Sequence, residues 1–422
     1  MRLLFLTPQL PYPPQQGTAL RNWGLISHLA ARHEIWLLSF DERREDARGE
    51  LPAPLRQACR RVVVAPAPAR ALGDRLRALA ASTLPDMAWR LWSPTFERML
   101  HAHLCGHRFD VVQFEGIELA RYMIGAARLP HSARFVFDAH NAEYVLQQRT
   151  FQADVRRLKR WHGAGYSFVQ WQRLRAFERR ALRVADAVLC VSPEDATALQ
   201  RLEPSVRPAV ISNGIDVAYY ANFDCPAPAP RAPTLVFTGK MDFRPNVDGV
   251  LWFAQRVWPV VKQAHPGVRW CIVGQKPSPR LDPLRADPDI ALTGQVDDVR
   301  FYIAQADVYI APLLAGGGTR FKLLEAMAMR RAIVSTSLGC EGFPVTSGRE
   351  MIVADRPEEF AGALTELLRS PSRRVALGES AYRFVSATYD WRAIVPRLEQ
   401  VYERLTAHES ARAWPRRAQR AP

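Results

Sequence analysis

The chain has 422 residues, too many for one compact core, so two or more domains are expected. Hydrophobic residues make up 48 % and charged residues 23 %, which excludes a disordered or fibrous chain. The net charge of +15 points to an anionic partner (nucleic acid, anionic lipid or a phosphorylated substrate), and an arginine-rich residue usage is the alternative explanation.

The first apolar run stops at Pro8, too early for a signal peptide, and reads as a buried strand over Leu3–Leu6. A helical pattern over Thr18–Ala31 follows. Short apolar runs then recur at Ile35–Phe40, Val62–Ala65, Val111–Phe114, Phe135–Asp138 and Ala187–Val191, with helical stretches between them. Such strands imply a parallel sheet covered on both faces. Residues 154–183 carry nine Lys/Arg against two acids, interleaved with Trp161, Tyr166, Phe168, Trp171 and Phe177. That mixture fits an anionic membrane surface or a lipid-diphosphate acceptor; a solvated helix with aromatics in the core is the alternative. Residues 226–233 read Pro-Ala-Pro-Ala-Pro-Arg-Ala-Pro, a proline density that neither a sheet nor a helix tolerates, so a linker is expected over 213–233. The alternation restarts at Thr234–Thr238, Val268–Val273, Ile290–Leu292, Val308–Ala311, Ala332–Ser335 and Met351–Ala354. The expected fold is therefore α/β, with two Rossmann-like doubly wound parallel-sheet domains over 1–212 and 234–386, facing a cleft that binds ligand. A basic tail occupies 411–422. No run reaches the ~18–20 apolar residues that span a bilayer, and six scattered cysteines without a C-x-x-C pair suggest reduced thiols. A cytoplasmic location is expected, either free or peripheral on the inner face of the cytoplasmic membrane.

The chemistry concentrates at strand ends. After the run ending near Pro312 come Gly316, Gly317 and Gly318, then a helix expected to open around Thr319. Glycines let backbone N–H groups approach an anion at the positive end of a helix. Arg320 and Lys322 in the first turn are misplaced against the helix dipole unless an anion lies between. Glu325, further along that helix, is placed to accept bonds from two sugar hydroxyls. Phe237-Thr-Gly-Lys-Met-Asp-Phe-Arg-Pro-Asn246 is a second strand-to-helix loop, in which Gly239 permits close approach and Lys240 or Arg244 meets a phosphate oxygen. In the first half, Gly17 opens a helix after a proline-stiffened loop and is a candidate for phosphate, with Arg21 one turn on as a candidate acceptor contact. His140 and Asn141, in Asp138-Ala-His-Asn-Ala-Glu143, and Glu115, ending Val111–Glu115, are further candidates for the substrate. The sequence has no G-x-x-x-x-G-K-[ST] loop, G-x-S-x-G elbow or zinc-type histidine cluster. Asp287-Pro-Asp289 has carboxylates spaced for a metal, but a turn is the preferred reading. No metal and no cofactor are expected.

These residues resemble glycosyltransferase family 4, retaining enzymes of the GT-B fold, and within it the sugar transferases associated with exosortase and PEP-CTERM exopolysaccharide clusters. The resemblance rests on Val210-Ile-Ser-Asn-Gly-Ile-Asp216, the Phe237–Asn246 loop, Gly316–Ala328, Phe135–Asn141 and Tyr389-Asp-Trp391, and covers nearly the whole chain. It implies a nucleotide sugar, UDP- or GDP-linked, bound in the second half as substrate. The first half would take a saccharide or lipid-linked acceptor; the candidates read above from strand ends and loops supply His140 and Glu115 as catalytic residues and Arg21 and Asn141 as acceptor contacts. It also implies a final helix over 387–410 crossing back onto the first half, and retention at the sugar carbon. The family's E-x7-E motif would place glutamates at 317 and 325; here position 317 is Gly and only the ribose-binding Glu325 remains. The donor diphosphate is then assigned to Gly17, Gly239, Lys240, Gly317, Gly318, Thr319, Arg320 and Lys322. Three other readings stay open: a non-catalytic scaffold in polysaccharide assembly, a GT-B epimerase or phosphorylase, and nucleic-acid binding. The last rests on charge alone, and no nucleic-acid partner is expected.

Overall fold

The computed structural model describes residues 1–14, 17–41, 50–155, 161–225, 232–315 and 320–410. It divides into two units. One comprises Met1–Ser212 with the chain from Ile394 onward; the other is Asn213–Ala393.

The first unit is built on a parallel sheet of β1 (Arg2–Thr7), β2 (Glu34–Asp41), β3 (Arg61–Pro66), β4 (Val111–Glu115), β5 (Arg134–Asp138), β6 (Ala187–Cys190) and β7 (Ala209–Val210). Their spatial order is β3-β2-β1-β4-β5-β6-β7. Leu3 pairs with Ile35 on one side and Val111 on the other, so β1 is central. Continuous apolar runs give strands buried on both faces: Leu3, Leu4, Phe5 and Leu6 are at most 1 % exposed. The helix Gly17–Leu29 lays Leu25, Ile26 and Leu29 on the core. The chain order reverses between β1 and β4, and the C-terminal ends of strands at such a switch point form the natural ligand crevice.

The second unit repeats the plan with β8 (Thr234–Thr238), β9 (Arg269–Val273), β10 (Ile290–Gly294), β11 (Val308–Ala311), β12 (Ala332–Ser335) and β13 (Ile352–Val353), in the order β10-β9-β8-β11-β12-β13. Its switch point lies between β8 and β11. Apolar clusters cover both faces, one around Phe253 and Trp270, the other around Leu324 and Met327. Among the described residues no helix is long and apolar enough to cross a membrane.

Every strand expected from the sequence forms, with bounds that agree to within two residues. The two-residue β7 went unread because it carries no run of its own. A larger correction concerns residues 213–225, expected as part of the linker. They pack into the second unit: Ile215 N–H donates to Tyr389 O at 2.8 Å, Trp391 N–H donates to Ile215 O at 3.2 Å, and Val217 is buried. Residues 226–231, the proline repeat, and the basic tail 411–422 lie outside the described residues. The final helix spans Trp391–Ser410, and from Ile394 it belongs with the first unit. Asp287 and Asp289 close on Lys262, whose Nζ lies 2.7 Å from a carboxylate oxygen of each, so this turn is stapled by an ion pair. All six cysteines are free thiols.

Candidate functional site

In the second unit, a cavity of about 520 Å³ opens beside the ends of β8 and β11. Its walls include Gly239, Lys240, Asn246, Arg320 and Lys322, with Phe243 and Leu313 supplying apolar surface. The volume suits a small-molecule ligand. Three cations against one wall acid, Asp242, suit an anionic one. Lys240 is exposed. The helix begins at Phe321, later than the expected Thr319, so Arg320 is its N-cap residue and Lys322 lies in its first turn.

Lys322 is the most constrained of these groups. Its Nζ donates to Asn246 Oδ1 at 2.9 Å and sits 4.2 Å from the centre of the Phe237 ring. Among the described residues no carboxylate lies within ion-pair distance of it. Burial, reinforced by the Arg320 charge, pulls its pKa down to about 7. Gly239 makes this seat available: a Cβ there would stand 2.7 Å from both Lys322 Nζ and Asn246 Nδ2. The Gly239 turn is itself wedged, since a Cβ on Gly274 would meet its carbonyl oxygen at 1.7 Å. Gly317, Gly318 and Thr319, assigned to the diphosphate from the sequence, lie outside the described residues, as does Gly316.

Glu325 does not line this cavity. Its Oε1 accepts a bond from the Tyr220 hydroxyl at 3.0 Å, and burial raises its pKa. Sequence reading missed Tyr220 because it placed that stretch in a linker. Beside it, Tyr219 is half exposed and stacks on Arg300, whose guanidinium carbon is 3.7 Å from the ring centre.

In the first unit, Glu115 ends β4 and Asp138 ends β5, their register pairing them side by side. His140 Nε2 lies 2.9 Å from Glu115 Oε2. His140 holds a left-handed φ of +58°, uncommon for a non-glycine residue and here supported by its surroundings. Three carboxylates give that support. Asp138 Oδ1 accepts from His140 N at 3.3 Å, Asp195 Oδ1 from Ala142 N at 2.8 Å, and Glu178 from both Glu143 N and Tyr144 N, at 3.0 and 2.9 Å. Burial pushes Glu178 up to about 8 and Glu143 up to about 7, the latter helped by the Glu118 charge. Asp195 and Glu178 come from distant helices, and no local motif marks them.

The structure corrects the role of Arg21. Its side chain is only 2 % exposed. Nε and Nη2 grip Asp138 Oδ2 at 3.0 and 2.7 Å, and Nη1 donates to Ile211 O at 2.9 Å. It is a buried clamp on Asp138, not a surface contact for an acceptor. Glu115 is likewise sealed, at 0 %, and acts only through His140, which is 16 % exposed. Asn141 Nδ2 faces Glu143 Oε1 at 3.4 Å, and Gly17 sits exposed at the first position of its helix. Gly17 and Lys322 belong to different units, each with its own sheet. The ligating atoms of Glu115, Asp138 and His140 lie within 4.8 Å of one another, but they are turned to one another and to Arg21.

Comparisons with known proteins agree with this division. Residues 16–219 match the model "Glycosyltransferase Family 4", and residues 232–370 match "Glycosyl transferases group 1". The phosphatidyl-myo-inositol mannosyltransferase of Mycobacterium tuberculosis is 31 % identical over 207 residues, 46 % of this chain and 53 % of that protein. The chain spans about half the length of the curated relatives it matches. Among solved structures, the sucrose-phosphate synthase of Thermosynechococcus elongatus superposes with a TM-score of 0.69 at 16 % identity, covering 97 % of this chain and all of that one. Anabaena HepE in complex with UDP gives 0.64 at 14 %, covering 96 % of this chain and 100 % of that one. Such neighbours share the GT-B fold.

Proposed function

We propose, from the premise that the chain belongs to the group 1, family 4 glycosyltransferases, that it transfers a sugar from a nucleoside diphosphate sugar to a saccharide or lipid-linked acceptor. The observation that carries this reading is the cationic cavity at the β8/β11 switch point, with Lys240, Arg320 and Lys322 on its wall. The UDP in the HepE complex and the lipid in the mannosyltransferase's name support the two substrate classes. The donor is taken to be UDP- or GDP-linked, the product an exopolysaccharide precursor, and no metal or cofactor takes part. As the bond from the sugar carbon to the diphosphate breaks, charge develops on the leaving phosphate, where those cations stabilise it. The acceptor oxygen attacks the same face, giving retention, and its proton passes to the leaving phosphate. His140 orients the acceptor and Glu325 takes the ribose hydroxyls, with its second oxygen free of Tyr220.

The test is thermal stabilisation by UDP and GDP in the full chain. A diphosphate at a hundred times its dissociation constant adds about 2.7 kcal/mol. Glu325→Gln, which keeps an oxygen for Tyr220, is expected to lose most of that gain. Stabilisation by neither nucleotide would overturn the reading. Binding without donor turnover would favour the scaffold.

A membrane-associated acceptor has separate support. On the helices Glu143–Val155 and Trp161–Val184, Leu146, Val155 and Phe168 are 36, 56 and 44 % exposed, and the same two helices expose Arg149 and Arg175. Exposed apolar side chains and arginines on the same helices fit an anionic bilayer surface. The chain is expected to co-sediment with phosphatidylglycerol-containing vesicles at low salt, and Phe168→Glu to reduce this several-fold. Equal recovery with neutral vesicles would refute it. The basic run at 156–160 lies outside the described residues.

A further inference from the structure

A buried line of polar side chains leads from the last helix to His140. Tyr402, on Trp391–Ser410, donates its hydroxyl hydrogen to Gln113 Oε1. Gln113 Nε2 donates to Glu115 Oε1 at 2.5 Å, and Glu115 Oε2 meets His140 Nε2 at 2.9 Å. Tyr402, Gln113 and Glu115 are at most 1 % exposed; only His140 reaches the surface.

The direction of this line is fixed by chemistry. A phenol beside an amide oxygen can only donate, and an amide that accepts through its oxygen can only donate through its nitrogen. Glu115 Oε1 is therefore an acceptor in every protonation state. The proton between Glu115 and His140 must lie on the Oε2···Nε2 line. That leaves Nδ1, which has no hydrogen-bond partner among the described residues. It lies on the side of Gly116, where an added Cβ would approach it to 3.9 Å.

We propose that Tyr402 and Gln113 are positioning residues that act through Glu115 to hold the His140 proton on the Nε2 side, so that Nδ1 is the ring nitrogen left to contact the acceptor and the one that gains or loses a proton as pH changes. The inference rests on the reading of His140 as the acceptor-side contact. The logic is that of a buried carboxylate fixing a histidine tautomer, extended by two residues. The charged and titratable groups around the ring are Glu115, Asp138 with its partner Arg21, and the carboxylates of Glu118 and Glu143. Burial opposes a charged imidazole, but the bond to Glu115 and the Asp138 charge outweigh it and raise the His140 pKa.

The test is nitrogen NMR of the full chain labelled at histidine, with His140 assigned by the signal lost in His140→Gln. As pH rises through its transition, Nδ1 is expected to move to the position of an unprotonated ring nitrogen while Nε2 stays protonated. Loss of the proton from Nε2 instead would overturn the proposal in the wild-type protein alone. Gln113→Leu removes the donor that stabilises the Glu115 carboxylate, so the transition is expected to rise by about one pH unit or more, with a smaller rise in Tyr402→Phe. A folded Gln113→Leu variant with an unmoved transition would also overturn it. Neither readout depends on turnover, so failure of the sugar-transfer reading shows separately, in the nucleotide-binding test.

Discussion

Replacing Arg21 by Met is expected to destabilise the first unit by about 3–5 kcal/mol, lowering its melting temperature by roughly 10 °C. The guanidinium meets Asp138 with two N–H groups, at 2.7 and 3.0 Å, and both side chains are almost wholly buried. Removing one partner strands a carboxylate without water, next to the equally buried Glu115. It also strips a donor from the carbonyl of Ile211. The loss should be local first: hydrogen exchange is expected to accelerate in peptides covering Val111–Glu115 and Arg134–Asn141. The double variant Arg21→Met with Asp138→Asn leaves no unpaired charge, and a neutral pair of similar shape is far cheaper to bury. It should recover more than half of the loss. A single variant costing under about 1 kcal/mol would mean that the pair is reached by water and behaves as a surface bridge.

Arg21 also marks where sequence reading stopped. A cation one turn into a helix after a proline-stiffened loop invites a substrate contact, here the acceptor, and nothing local says otherwise. Its true partner, Asp138, lies 117 positions away, brought alongside by the parallel pairing of β4 with β5. Glu115 and His140, by contrast, stand out as candidates because one ends β4 and the other lies two residues past the end of β5, where an α/β sheet exposes its chemistry. What the sequence could not show is that Glu115 is hidden behind His140, and that Gln113, on the same strand with the same inward face, continues the line. Side chains two apart on a strand point the same way, so Val111-Val-Gln-Phe-Glu115 puts Gln113 and Glu115 on one face, but the link onward to Tyr402, 289 positions away, depends on the fold.

Apart from the two-residue β7, the strands were readable because buried parallel strands are continuous apolar runs, and this chain punctuates them with helices of ordinary length. Residues 213–225 failed for a matching reason. They lack a run, so proximity to the proline repeat suggested a linker. In fact a five-residue helix, Val217–Ala221, capped by Asp216 accepting from Tyr219 N, carries Tyr220 to Glu325. At the cavity, Lys240, Arg320 and Lys322, taken from two loops, line one wall as their grouping implied. The pairing of Lys322 with Asn246 could not be, since it depends on how two helices converge on one glycine turn.

That pairing gives the second large effect. Lys322 holds its charge over Phe237 and against the Asn246 amide, with no carboxylate in ion-pair range among the described residues, so burial brings its pKa to about 7. A diphosphate in the cavity restores the missing countercharge and raises that pKa again. Binding should therefore take up a proton once the free lysine has lost its own. At pH 8 about nine-tenths of the free side chain is neutral, so uptake should approach one proton; at pH 5.5 it should approach zero. A nucleotide sugar is the suitable ligand, because its two phosphates do not titrate in this range. Calorimetry in buffers of different ionisation enthalpy reads the uptake directly. The sign follows: affinity falls as pH rises through 7, by at most about tenfold per unit, until the pKa of the bound form is passed. Lys322→Met is expected to weaken binding about 10- to 100-fold at pH 6, where a hydrogen bond to a charged group is worth about 1.5–3 kcal/mol, and by less at pH 9. Asn246→Asp sets a carboxylate against the ammonium, so Lys322 stays charged across the range. Proton uptake at pH 8 should then vanish, and affinity at pH 6 should drop because the countercharge is already supplied. If the wild-type protein binds the nucleotide sugar at pH 8 with less than about a tenth of a proton taken up, Lys322 is already charged there, and its burial does not set the pH dependence of donor binding.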